Sequence, residues 1–219
     1  MKLYDATGPN PRVVRMFLQE KELEIPTVVM VLGNGENRHP SHLARNPMGQ
    51  VPVLETDDGA YISETLAICE YLEELHPEPS LVGRTLAQRG ETRMWTRRVD
   101  LNICEPLMYT FRFSSVGWRR FRNRNPRAPQ AADAMGRVAR TNLAWLDGQM
   151  AHREFLCGDR FSLADVLLYV FVQSGIEVGQ LLDPQWLAVT DWFKRVAARP
   201  SATRSAQCRV ESMALSSTV

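Results

Sequence analysis

The sequence is short of several residues that would settle its chemistry at once. Its four cysteines, Cys69, Cys104, Cys157 and Cys208, lie far apart and form no Cys-x-x-Cys pair. That excludes a zinc ribbon or a dithiol redox centre, and leaves each cysteine as a small buried hydrophobe. The histidines, His39, His42, His76 and His152, form neither His-Glu-x-x-His nor His-x-His, so no metal site is expected. All but three of the 26 basic residues are arginine, the exceptions being Lys2, Lys21 and Lys194. The longest apolar run, Val166 to Val172, falls far short of the roughly 18 residues that a membrane span needs. No apolar stretch follows Lys2, so no secretory leader is expected and the cytoplasm is the expected location. With 44% hydrophobic and 23% charged residues, the composition also excludes a disordered or fibrous chain.

What is present is a charge asymmetry. The net charge of +1 divides into 6 basic against 13 acidic side chains in residues 1–80, and 20 against 12 in residues 81–219. The excess lies in residues 84–127, where 11 arginines face only Glu91, Asp100 and Glu105. Halves of opposite sign suggest two units, and the positive region suits a small anionic ligand. Arg119, Arg120, Arg122, Arg124 and Arg127 would also suit nucleic acid. No stacking-aromatic motif or recognition helix accompanies them, so a solvated stretch is the simpler reading and no nucleic-acid partner is expected.

The first 80 residues alternate strand and helix signals. Lys2–Asp5 reads as a strand, Gly8-Pro9-Asn10-Pro11 as a turn, and Val13, Val14, Phe17 and Leu18 as a helical stripe. Thr27–Leu32 reads as a buried strand, and residues 41–45 as one helical turn. Val51–Glu55 and Ala60–Ile62 flank the hairpin signal Asp57-Asp58-Gly59, and a helix follows over Glu64–Leu75. Prolines 77 and 79 stop it, which places a linker at 77–84. Beyond the linker the strand signals vanish. Helices are expected over 85–112, with Met94 and Trp95 in the apolar stripe, over 131–151, with Met135 and Val138 inward, over 163–174 and over 186–198. Ser162-Leu163-Ala164-Asp165 has the form of a capping box. The Ser-, Thr- and Ala-rich residues 201–219 read as a flexible tail. The pattern is an α/β unit over 1–77 followed by an all-helical unit over 85–200, and the hairpin makes the sheet mixed rather than doubly wound.

Three segments carry a resemblance: Asn46-Pro47-Met48-Gly49-Gln50-Val51-Pro52-Val53-Leu54, Ile62-Ser63-Glu64-Thr65-Leu66-Ala67-Ile68 and Gly158-Asp159-Arg160-Phe161-Ser162-Leu163-Ala164-Asp165. In order and spacing the chain resembles the cytosolic glutathione transferases over about residues 1–200. The resemblance implies a thioredoxin-like domain with a mixed four-stranded sheet, then an all-helical domain, usually in a homodimer. It implies transfer of the glutathione thiol to a hydrophobic electrophile, a detoxification chemistry with glutathione as cosubstrate and no metal. The opening Pro9-Asn10-Pro11-Arg12-x-x-Arg15 resembles an atypical bacterial and fungal subgroup that lacks the usual catalytic Tyr, Ser or Cys.

Carried over to this chain, the resemblance makes Val51 the residue whose backbone pairs with the cysteinyl unit, strand-fashion, with a cis bond to Pro52. Glu64 and Thr65 would hold the γ-glutamyl group at a helix N-terminus; the plain alternative is N-capping by Ser63 or Thr65. Arg38 would meet the glycyl carboxylate, Gln50 the peptide, and Asp100 the γ-glutamyl group across a dimer. Pro9 occupies the usual serine position and carries no donor. Thr7, Asn10 and Ser114 are therefore the candidates for thiol activation, and Tyr109 and Arg112 could help from the same helical stretch as Ser114; Thr7 and Asn10 also suit a turn. Tyr109, Phe113 and Trp118 are the candidates for the electrophile site. The competing readings are a glutathione-dependent reductase or peroxidase, disfavoured by the lack of a cysteine near residue 10, and a non-catalytic binding or regulatory module, which Pro9 keeps open.

Overall fold

The computed structural model describes residues 1–117 and 128–208. They form two compact units, one of residues 1–77 together with the chain from 203, the other of residues 78–202.

In the first unit, β1 (Lys2–Asp5), α1 (Pro9–Glu20), β2 (Thr27–Val29), α2 (Pro40–Leu43), β3 (Val53–Glu55), β4 (Tyr61–Ser63) and α3 (Thr65–Leu75) follow in order. The sheet runs β2-β1-β3-β4, with β1 parallel to β2 and the other pairs antiparallel. This is the mixed four-stranded sheet expected from the sequence. Register sorts the side chains. Leu3 lies opposite Leu54 and Tyr4 opposite Val53, so alternate residues go to opposite faces. Leu3, Val14, Phe17, Leu54, Ile68 and Leu72 are buried, each side chain worth about 1.5–3 kcal/mol removed from water. On the other face Tyr4, Met30 and Val53 form a smaller cluster, flanked by Leu32 and Val51.

Thr27–Leu32 is not a buried strand. The strand stops at Val29, Leu32–Asn34 is a 3-10 turn, and Val28 is exposed. β2 is the sheet edge, where a β-branched run serves pairing without full burial.

In the helical unit, α4 (Leu86–Val99), α5 (Glu105–Phe113), α6 (Pro129–Met150), α7 (Leu163–Glu177), α8 (Leu187–Ala197) and α9 (Pro200–Arg204) are found among the described residues. The expected helix over 85–112 is interrupted: Asp100–Cys104 is a π-helical segment, with the Glu105 N–H reaching Asp100 O. Pro106 gives the reason. It has no N–H and its ring would strike the carbonyl of residue 102, so the ordinary ladder cannot pass. Met94 and Val138 are exposed rather than inward, and Ala132, Ala139, Leu143, Leu146 and Met150 form the buried stripe of α6. The 78–84 stretch, expected as linker, is anchored in the helical unit, with Leu81 and Val82 buried and Leu81 O accepting from Leu163 N at 2.9 Å.

Of the tail expected over 201–219, residues 209–219 lie outside the described residues, and residues 201–208 are held in place. Ser201 and Ala202 are buried in and beside α9, Ser205 is buried, and Arg15 Nε donates to Ser205 O at 2.9 Å. Small Ser and Ala side chains suit close packing as well as they suit disorder, which is why composition misled.

Candidate functional site

The residues 46–52 carry the densest set of side-chain bonds to backbone in the first unit. Asn46 Nδ2 donates to Gln50 O at 3.1 Å, and His42 Nε2 lies 3.0 Å from the same oxygen. Asn46 Oδ1 accepts from Met48 N at 3.1 Å, Asn37 Nδ2 donates to Gly49 O at 2.7 Å and Arg38 Nη1 to Met48 O at 3.1 Å. Gly49 has φ 59°, and a Cβ there would stand 2.8 Å from the backbone oxygen of Asn37, so the turn calls for glycine. The loop ends in the cis Val51–Pro52 bond, as the resemblance implied.

Two helices begin nearby in the same unit. α3 has Glu64 at its N-cap with φ 71°, a left-handed value rare for a side chain of this type, and no side-chain cap. Neither Ser63 nor Thr65 caps it, so the N–H groups of the first turn keep their donor character. Thr65 is instead turned to α1, its hydroxyl 3.3 Å from Asn10 Oδ1 and 3.4 Å from Asn10 O. α1 has Gly8, φ 137°, at its N-cap, with Pro9 and Pro11 in its first turn. Neither proline has an N–H, so Asn10 supplies the first turn's one backbone donor among positions 9 to 11. Thr7 is exposed on the bend before it.

The structure thus brings Asn10 and Thr65 together, and gathers Arg38, Gln50, Val51 and Pro52 in one loop system. Asp100, Tyr109, Phe113 and Ser114 belong to the helical unit. Asp100 pairs with Arg97 at 3.6 Å. Tyr109 and Phe113 stack, centroids 5.4 Å apart, with the Arg112 guanidinium 5.7 Å from the Tyr109 ring. The Ser114 hydroxyl donates to Phe111 O at 2.7 Å and accepts from Gly117 N at 3.0 Å, which commits its proton to a local turn. Trp118 and the arginines 119–127 lie outside the described residues.

These features point one way, and comparison with known proteins decides the family. The N-terminal domain model of glutathione S-transferases matches residues 7–75, and the C-terminal domain model matches residues 104–200. The chain belongs to the glutathione S-transferase family. Glutathione S-transferase 2 of Saccharomyces cerevisiae is 31% identical over 219 residues, covering 97% of this chain and 92% of that protein. The crystal structure of Gtt2 from S. cerevisiae superposes with a TM-score of 0.86 at 30% identity, over 94% of this chain and all of that one. Maleylacetoacetate isomerase of Pseudomonas aeruginosa is 30% identical over 92% of this chain and 93% of its own length. Relatives bearing the names of a transferase and an isomerase show that family membership leaves the reaction open.

Sequence reasoning missed the residues that build the loop in this member of the family: Asn37, His42 and Asn46. In the sequence Asn46 stands only as part of a motif, and His42 only as a histidine without metal-binding spacing. It also missed a cluster around Asp5. Arg15 Nη1 donates to Asp5 at 2.7 and 2.9 Å and to Ala6 O at 3.1 Å, and Cys208 Sγ lies 3.5 Å from Asp5 Oδ2. Burial, then the Asp5 charge, pushes the Cys208 thiol up to about 11. Burial also raises Cys69, Cys104 and Cys157. None of the four thiols has the depressed pKa of a nucleophile. Among the described residues no helix is long and apolar enough to cross a membrane.

Proposed function

We propose that the protein binds glutathione through its first unit and transfers the thiol to a hydrophobic electrophile, acting as a cytoplasmic homodimer. The observation that carries the reading is the meeting of the α1 and α3 N-termini at the Asn10–Thr65 contact. The γ-glutamyl carboxylate fits the uncapped first turn of α3, where unpaired N–H groups and the helix dipole favour an anion. Exposed Glu64 would accept from the ammonium, Val51 would pair with the cysteinyl backbone, Gln50 would bond the peptide and Arg38 would meet the glycyl carboxylate. Asp100 would reach the γ-glutamyl group from the partner subunit.

Asn10 is the proposed thiolate donor. Its Oδ1 faces the Thr65 hydroxyl, which leaves Nδ2 and the backbone N–H to stabilise a sulfur anion. A free thiol near 8.5 is only a few per cent ionised at neutral pH. Thr7 is the second donor candidate, and Ser114 drops out because its proton is given to Phe111 O. The stacked Tyr109–Phe113 pair offers an apolar surface for the electrophile.

The test is ultraviolet titration of the thiol in bound glutathione. We expect a thiol pKa at least about one unit below the free value, and a rise of about one unit in Asn10→Ala, with Thr7→Ala unchanged. A shifted thiol in wild type that Asn10→Ala leaves untouched refutes the Asn10 assignment. Saturable binding with an unshifted thiol and no turnover of an aryl halide supports the second reading, a non-catalytic binding module, which the donorless Pro9 favours.

A further inference from the structure

We infer that His42 is a positioning residue for the peptide-binding loop, acting through the carbonyl of Gln50. This rests on the proposal that Val51 pairs with glutathione. His42 is fully buried, with 0% of its surface exposed, although it lies in the four-residue helix α2. Its Nε2 stands 3.0 Å from Gln50 O, and Asn46 Nδ2 reaches that same oxygen at 3.1 Å. Both lone pairs of one carbonyl are therefore engaged, immediately before Val51.

The chemistry fixes the tautomer. A carbonyl only accepts, so Nε2 must carry the proton. Nδ1 is buried and has no hydrogen-bond partner, so the ring makes one hydrogen bond and spends it on this carbonyl. The Tyr4 ring stands 6.4 Å away, edge-on. A buried apolar side chain would fill that space without exposing an orphan nitrogen. The polar ring therefore contributes orientation of the Gln50–Val51 peptide rather than packing. That peptide's other end presents the Val51 backbone, so its tilt sets the direction of the hydrogen bonds offered to a ligand. Fixing it before binding lowers the ordering cost of the complex.

The prediction separates donor from bulk. His42→Gln keeps a donor where Nε2 stands; His42→Asn moves it to the Nδ1 position; His42→Phe keeps the ring and loses the donor. We expect His42→Phe and His42→Asn to raise KM and the calorimetric Kd for glutathione about tenfold, as for one lost hydrogen bond, with kcat within about twofold. His42→Gln should restore Kd to within about twofold of wild type. Because Phe fills the cavity, its Tm is a control, and the Gln–Asn pair decides the matter should Phe fail to fold. The inference is overturned if Gln behaves like Asn, if all three variants bind like wild type, or if kcat falls with Tm while Kd holds. Wild-type protein that binds no glutathione overturns it too, by removing the ligand reading beneath it, an outcome visible before any variant is made.

Discussion

Glu64 pays for its position with backbone strain. A non-glycine residue at φ 71° costs of order 1–3 kcal/mol, and nothing in its own side-chain bonding repays this, since it forms no cap. Strain kept at a helix N-terminus fits a site that must leave its first-turn donors open. Glu64→Gly should therefore stabilise the fold by about 1 kcal/mol in urea melts while weakening glutathione binding about tenfold or more. A variant that is destabilised, or that binds unchanged, would refute the role given to Glu64. Tyr4 is the second residue with a measurable signature. Burial, then its 2.7 Å hydrogen bond to Glu55, raises the phenol to about 12. A raised pKa stabilises the fold fully below the unfolded value near 10, and that stability is lost as pH climbs toward 12. Tyr4→Phe should flatten the alkaline fall in stability across that window, read from urea midpoints at successive pH. At this scale the motifs name Gln50, Val51, Glu64 and Thr65 only as candidates, and the feature legible in advance is the cis Val51–Pro52 bond. His42 was not, because its role is a bond across eight residues that no local pattern encodes.

At the scale of elements, helix starts were the most legible. Ser162 and Asp165 form the capping box the sequence announced, but with more bonds than a cap needs. Asp165 accepts from Ser162 N at 3.0 Å, Ser162 Oγ at 2.8 Å, Leu156 N at 2.9 Å and Trp192 Nε1 at 2.9 Å. Burial pushes its carboxyl up from its ordinary value, and the four donors pull the other way, toward the charged form. One carboxylate therefore joins the start of α7, the preceding turn and α8. Asp165→Asn puts an amide N–H against two of those donors and should cost about 3 kcal/mol in chemical denaturation; a loss below about 1 kcal/mol would reduce Asp165 to an ordinary cap. Elements went wrong where one residue outweighs a pattern. Pro106 turns a regular helical stripe into a π-helical segment, and the edge position of β2 turns an apolar run into a half-exposed strand.

At the scale of the whole molecule, the two-unit organisation was visible in the change from mixed to purely helical signals near residue 77. The return of residues 203–208 to the first unit was not, because they have no periodicity and signal their place only through contacts with residues far away in sequence. Arg15 bridges Asp5, Ala6 O and Ser205 O, and Cys208 adds its thiol to Asp5. A chain ending at Ala202 should lose stability in the first unit, read as faster hydrogen exchange of amides in β1 and α1, with α7 unaffected. Unchanged exchange in β1 and α1 would show that these contacts do not hold the first unit together.

The same return of the chain has a consequence for synthesis. The first unit is discontinuous in sequence, and its last described residue, Cys208, follows Pro77 by more than the whole helical unit. At about 5–20 residues per second, a ribosome needs on the order of ten seconds to cover that interval. Throughout it, Arg15 waits without its carbonyl at Ser205, and the half of the protein made first is the half completed last.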